Sequence, residues 1–482
     1  MNEHDRLTRR LAAMLSEAQD AVPPATDVMT PFRRRYAQAR RRRVRTLAVA
    51  CAVMVVAATV LVGAAWAPGS RRPADLAGPP AGGDDKIQVW TLRSQSRLPA
   101  LHACAAEFSR GADIEVDIAS HPNQRYQQQL REALTSTDPP DIFFHWGGGG
   151  MAEMVREKQV LDLTRALRAR PEVASAFAPE VLAGGRVDGR QYGLPASGVE
   201  PVMLFYNRRV FAQADLRPPE TYTDLLALVD AFKARGIDPL ALAGADGWSE
   251  LMYLMYLVDR IGGPRPFADI AAGRPGAWSH PAVLQAARMA RELVERGAFG
   301  RDFTTLRYDD GGSSGRLASG QAAMQLMGSW EYALQLTLDP DFVRDGDLGW
   351  VPFPAVPGGA GDPANVVGVP GSYYSVSSAS LDAEQAVDVL FSLLTCDRYV
   401  DALLRGGEVP AVTDVPARAA GTPHEEFIRS THRLAAAAPS LTLAWDQALS
   451  PTAGAALNAN LRRLFALEFT AEQFAAAMNE AR

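Results

Sequence analysis

The sequence predicts an α/β fold of two lobes with a hinge and an interlobe cleft, preceded by one transmembrane helix. Three observations predict it. A stretch without a single charge runs from Thr46 to Pro68. Short apolar strands alternate with helically spaced segments from Lys86 onward. That alternation breaks near Ser197–Pro201, restarts, and later returns to strand-like runs at Ala322–Met327 and Leu348–Val351, so two lobes should be linked by more than one crossing.

The N-terminal part divides into three. Residues 1–45 form a basic arm with eleven arginines against five acidic residues, its start spaced as a short helix over Asp5–Gln19. Residues 46–67 are the expected span, since about twenty apolar residues at 1.5 Å rise cross a hydrocarbon core of roughly 30 Å. Arginines crowd just before it (Arg40, Arg41, Arg42, Arg43, Arg45), which keeps that end cytoplasmic and puts the rest of the chain outside a plasma membrane crossed once. Ala65-Trp66-Ala67 offers a cleavage site, but the apolar run exceeds a usual signal segment, so a retained anchor is expected. Residues 68–85, rich in Pro, Gly and Ala, read as an extracellular tether.

The folded body starts with Ile87-Gln88-Val89-Trp90 as a strand and Leu98–Ser109 as a helix. Ile114–Ile118 alternates as a strand, Tyr126–Ser136 is helical, and Asp141–Phe144 is a third strand running into His145, Trp146 and four glycines. Strand, helix, strand, helix, strand is the pattern of a parallel sheet covered by helices. Pro201–Tyr206 is a new strand, with helices at 221–235, 249–261 and 281–296.

The chain has 482 residues, 47% of them hydrophobic and 22% charged, which is ordinary globular composition for one large or two medium cores. The basic arm serves topology rather than nucleic acid, because the apolar span follows it directly. Seven scattered histidines form no cluster and no zinc spacing occurs, so neither metal nor cofactor is expected. Of three cysteines, Cys51 lies in the span. Cys104 and Cys396 could pair, but their distance in sequence gives no support, and single buried thiols are the expectation.

Several segments together resemble the extracellular solute-binding proteins of ABC importers, in the branch of maltose- and oligosaccharide-binding proteins. Pro139-Pro140-Asp141-Ile142-Phe143 resembles the strand that delivers cleft residues. Tyr192–Pro195 with Glu200 and Leu204–Asn207 resembles the first hinge crossing, and Pro219–Leu225 the opening of a helix. Trp248 resembles the aromatic before paired glycines, here Gly262-Gly263, and Gly320–Trp330 (GQAAMQLMGSW) is the most specific match. Gly371–Val376 resembles the third crossing. The resemblance covers about Lys86 to the C-terminus and implies a type II periplasmic-binding-protein fold. The expected lobes are 86–198 and 318–368 for the first, 199–317 and 369–482 for the second. It also implies a monomeric, non-enzymatic receptor handing a small molecule, a sugar, to ABC permease subunits. The long arm and span depart from the family and leave open a ligand sensor signalling across the membrane.

A sugar has a flat apolar face and a rim of hydroxyls, so its site needs aromatic rings beside planar polar groups. The candidate contacts are Trp146, Gly147, Glu200, Trp248, Glu250, Trp330, Glu331, Gly371, Tyr373, Trp445 and Asp446. Each has a plainer reading: Trp330 as core packing, Glu200 as a hinge cap, the glycines after Trp146 as a turn. Asp309 is a further polar candidate, or a solvated turn.

Overall fold

The computed structural model describes residues 86–481 apart from Asp113 and Pro370. The arm, the expected span and the tether lie outside the described residues. Among the described residues, no helix is long and apolar enough to cross a membrane.

The chain begins the first lobe with β1 (Lys86–Leu92), α1 (Arg97–Ala112), β2 (Glu115–His121), α2 (Asn123–Leu134), β3 (Ile142–His145) and α3 (Gly148–Arg156). β1 alternates half-buried and buried residues, and pairs in parallel with β2 and β3. A small hairpin of β4 (Arg186–Val187) and β5 (Arg190–Gln191) precedes β6 (Leu194–Pro195).

The chain then crosses to the second lobe at β7 (Glu200–Asn207), followed by α4 (Tyr222–Lys233), β8 (Asp238–Ala241), α5 (Trp248–Gly262) and α6 (Pro281–Glu295). Next come β9 (Ala322–Gly328), α7 (Glu331–Leu338), β10 (Leu348–Val351) and β11 (Val366–Val369). Here β7 and β9 are buried almost throughout and lack alternation, as strands covered on both faces do. α4 starts on a capping box in which Thr221 and Asp224 exchange side-chain and backbone hydrogen bonds.

A return crossing leads to β12 (Tyr373–Val376), α8 (Ala383–Thr395) and α9 (Asp397–Arg405), all in the first lobe. The last crossing leads to α10 (Glu425–Ala437), β13 (Leu441–Leu443), α11 (Pro451–Phe465) and α12 (Ala471–Glu480). The first sheet has the order β2-β1-β3-β12-β6; the second has β13-β11-β7-β9-β8, with β10 also paired to β7. Each sheet has its own apolar core, one around Val89, Phe143 and Leu390, the other around Phe205, Tyr253 and Leu326.

Two expected boundaries are corrected by this pairing. β9 lies between β7 and β8, so residues 322–369 belong to the second lobe. β12 pairs with β3 and β6, so residues 373–405 belong to the first. The order of crossings is therefore shifted as well, and the 369–373 connection is the second of three. β9 and β12 are short buried apolar runs, whose partners only long-range pairing decides.

The crossings run side by side. β11 pairs with the start of β7 through Gly368↔Pro201 and Val369↔Glu200. The Ala196 N–H donates to the Ser372 carbonyl at 2.7 Å, and the Gly198 N–H to the Val409 carbonyl at 2.8 Å. A side chain at Gly371 would meet the Ser197 carbonyl oxygen at 2.8 Å, and its φ of +136° is strained for any other residue.

Cys104 and Cys396 form a disulfide, contrary to the expectation of separate thiols. Cys104 lies on the buried face of α1, and Cys396 sits at the α8–α9 junction, which packs on α1. The return crossing brings the two together across 292 residues, a closeness invisible in the sequence.

Candidate functional site

A cavity of about 730 Å³ opens where β-strand ends and helix starts of both lobes meet. From the first lobe it is lined by the loop after β1 (Arg93 to Arg97), Asn123, Gln127, Trp146 and Tyr374. From the second lobe come Asp246, Trp248, Arg307, Tyr308, Asp309, Trp330, Asp446 and Arg462, while Glu200 and Glu408 stand at the crossings.

The aromatic walls are set by their backbones. Trp146 directly follows β3, and its ring is braced edge-on by Phe144 at 5.3 Å and Tyr126 at 5.8 Å. Opposite, Trp248 opens α5 after Gly247, a residue at φ +76° whose added side chain would touch the Asn458 carbonyl oxygen at 2.9 Å. Trp330 follows β9 and folds back over Gly328, where even a Cβ would lie 2.1 Å from the ring. The Trp248 and Trp330 rings are 6.4 Å apart, with Tyr308 edge-on to Trp248 at 5.2 Å.

The polar groups are mostly engaged. The Arg97 guanidinium donates to Glu200 at 3.0 Å and to Glu408 at 2.7 Å, and the Ser96 hydroxyl donates to Glu408 at 2.7 Å. Burial raises the Glu200 pKa, Arg97 opposes this, and Glu408 adds to the rise. Asp446 accepts from the Asn458 amide at 3.0 Å, and burial raises its pKa too. Asp246 accepts from the Tyr308 N–H at 2.7 Å and faces Arg307 at 3.7 Å.

Of the residues expected in the site, Trp146, Glu200, Trp248, Trp330 and Asp446 line this cavity, and so does Asp309. The others do not, each for a packing reason. Trp445 is buried with its ring stacked on Phe267 at 4.6 Å and edge-on to Trp278. Tyr373 is fully buried and its hydroxyl donates to the Val181 carbonyl at 3.0 Å, while the neighbouring Tyr374 takes the cleft side. Gly371 shapes the crossing. Gly147 lines an adjoining cavity of about 560 Å³. There Gly148 and Gly149 let α3 approach the 447–449 backbone, where side chains would overlap carbonyl oxygens at 2.4 and 2.1 Å.

Glu250 and Glu331 are buried acids behind the wall. The Glu250 carboxyl has no hydrogen-bond partner among the described residues, and burial holds its pKa well above the usual range despite the pull of Arg462. Glu331 accepts from Ser314 at 3.0 Å and from the Gln335 amide at 2.6 Å. Burial pushes its pKa up to about 7 against those hydrogen bonds. A carboxyl whose folded pKa exceeds its unfolded one contributes stability that is complete below about 4.5 and is lost as pH rises through about 7. Glu331→Gln should therefore flatten the stability–pH curve between those limits, removing a loss on the order of 3 kcal/mol. Denaturant titrations at several pH values check this, and an unchanged slope would refute it.

Arg97, Tyr374, Glu408 and Arg462 were missed. Arg97 and Glu408 are 311 residues apart, and nothing in their local sequence marks them as partners. Gly311–Gly315 spells G-x-S-x-G, the pattern of a nucleophile elbow, but Ser313 is fully buried and accepts from the Gln325 amide at 3.2 Å. It presents no nucleophile to the cleft.

Two lobes on separate sheets, three adjacent crossings and an aromatic cavity between them define a two-lobed binding protein. The sequence profile of the bacterial extracellular solute-binding protein family matches residues 94–392, more than half of the chain, and the chain belongs to that family. It is 26% identical over 221 residues to an uncharacterised ABC transporter extracellular-binding protein of Pyrococcus horikoshii, a match covering 45% of this chain and 48% of the relative. It is 23% identical over 333 residues to the multiple sugar-binding protein of Streptococcus mutans, covering 66% of this chain and 74% of that one. A solved chitin oligosaccharide binding protein superposes with a TM-score of 0.73 at 25% identity, covering 82% of this chain and 97% of the other. Proteins of this family and fold bind their substrates rather than transform them.

Proposed function

We propose that this protein captures a carbohydrate outside the cell by closing its lobes on it, and presents it to an ABC-type importer. The observation that carries this is the cavity lined by Trp146 on one lobe and by Trp248 and Trp330 on the other, with polar side chains between. Indole faces match the apolar faces of pyranose rings, and carboxylates and amides match their hydroxyls. The sugar-binding names of relatives support the same ligand class.

A ligand touching both lobes stabilises the closed arrangement by its extra contacts there, and a few kcal/mol of such difference moves a hinge equilibrium almost completely. The crossings can absorb the rotation because they run side by side. Closure changes the outer surface, which permease subunits in the membrane can read. The uncharged run at 46–67 supports a tether that keeps the receptor near them, and the disulfide fits an oxidising compartment outside the cytosol.

The test is calorimetry of the full-length chain against a saccharide panel, with the products checked for hydrolysis. Binding without turnover is expected. Trp330→Ala should weaken the best saccharide by roughly 10–100-fold, the loss of one stacked ring, without unfolding the protein. Unchanged affinity removes Trp330 from the site, and binding of no saccharide overturns the reading.

A further inference from the structure

Five carboxylates and four arginines line the cleft, so their formal charges nearly cancel, but the two signs are not equally engaged. Glu200 and Glu408 share Arg97, Asp246 has the Tyr308 N–H and Arg307, and Asp446 has Asn458. Asp309 has an interaction within the protein as well. Each carboxylate lining the cavity is thus engaged. Two of the cations lining it are not. Arg93 and Arg462 are exposed, line the cavity, and make no side-chain hydrogen bond or ion pair among the described residues.

Their places differ in a useful way. Arg93 follows β1 in the first lobe, beyond the carboxyl end of a parallel strand, where ligands of α/β sheets gather. Arg462 projects from α11 in the second lobe, and its guanidinium lies beside Gly247, 3.4 Å from where a side chain there would begin. It therefore stands next to the start of the helix that carries Trp248. Its charge lowers the pKa of Glu250, an acid that is buried and forms no ion pair with it. An arginine kept beside a stacking tryptophan and left without an acid offers its donor fork to a ligand.

We propose that the natural ligand is an anionic saccharide, stacked on the tryptophans and engaged through its acidic groups by Arg93 from the first lobe and Arg462 from the second. This rests on the carbohydrate reading above and narrows it. A planar carboxylate takes two hydrogen bonds from one guanidinium, so a uronic-acid sugar fits best; a sulfated sugar shares the chemistry. Because the arginines stand on different lobes, an anion touching both adds to the contacts that favour closure.

The full-length protein is titrated by calorimetry with three matched oligosaccharide sets: neutral hexose, uronic-acid and sulfated. The expected result is at least about tenfold tighter binding of an anionic set than of the neutral one at low salt, shrinking as salt is added. Uronic-acid binding above sulfated binding identifies the carboxylate; the reverse identifies the sulfate ester. In Arg93→Gln/Arg462→Gln the anionic-to-neutral affinity ratio should fall to about one. Salt dependence of the unaltered protein is a second readout that needs no variant. Equal or tighter binding of the neutral set overturns this inference and leaves the carbohydrate reading standing. Binding of none of the three overturns both.

Discussion

Replacing Arg97 with methionine should destabilise the protein by about 3–5 kcal/mol at neutral pH, because it strands two buried carboxylates rather than merely deleting a bond. Glu200 and Glu408 both accept from this guanidinium, and both are largely removed from water. Their electrostatic influence raises the Arg97 pKa well above its usual value despite the opposing effect of burial. Without it, the two acids stand together at the crossings, and Glu200, whose pKa burial and the Glu408 charge already raise, loses the group that opposes that rise and holds its proton more tightly when folded than when unfolded. The sign follows: a raised folded pKa favours the folded state at low pH and loses that advantage as pH rises. The variant should therefore be least stable above pH 7 and recover toward pH 5. Adding Glu408→Gln should restore part of the loss. Chemical denaturation at both pH values reads this. A loss under 1 kcal/mol that ignores pH would mean that solvent already screens the triad, as it does surface pairs.

Reducing the Cys104–Cys396 disulfide should lower stability by about 3–5 kcal/mol, toward the upper part of the usual range because the closed loop is long. The bridge spans 292 residues and encloses both the outward and the return crossings. In the unfolded chain it removes conformations that would otherwise place α1 and the α8–α9 junction far apart. Its effect on ligand affinity should be small, since neither cysteine lines the cavity. The midpoint of denaturant unfolding with and without a thiol reductant measures this, and Cys104→Ala/Cys396→Ala serves as the matched variant. Coincident midpoints would show that α8 and α9 hold to α1 by packing alone.

Much of this fold was legible in the sequence, and the reason is local. The alternation of β1, the capping box at Thr221 and Asp224, and the long apolar α5 are each encoded within a few residues of themselves. The same holds for Trp146, Trp248 and Trp330, which stand at a strand end, a helix start after glycine, and a turn after Gly328. At such places an aromatic side chain leaves the core, and sequence shows them well.

Other features depended on which buried surface each element finds. Trp445-Asp446 looks in sequence like one aromatic and acidic pair, yet the indole is packed against Phe267 and Trp278 while the carboxylate reaches the cleft. Tyr373 and Tyr374 divide in the same way, because neighbouring strand residues face opposite sides of a sheet. Glu250 and Glu331 follow cleft tryptophans closely but turn inward on their helices.

By itself the sequence determined the class of fold, the order of its elements and three of the cleft's aromatic residues, Trp146, Trp248 and Trp330, since periodicity and turn chemistry are carried by neighbours along the chain. Only the tertiary structure decided that β9 joins the second sheet and β12 the first, that Cys104 meets Cys396, that Arg97 holds two acids, and that Arg93 and Arg462 hold none. Those are pairings between residues tens to hundreds of positions apart, chosen by the packing of whole lobes, and no local pattern records them.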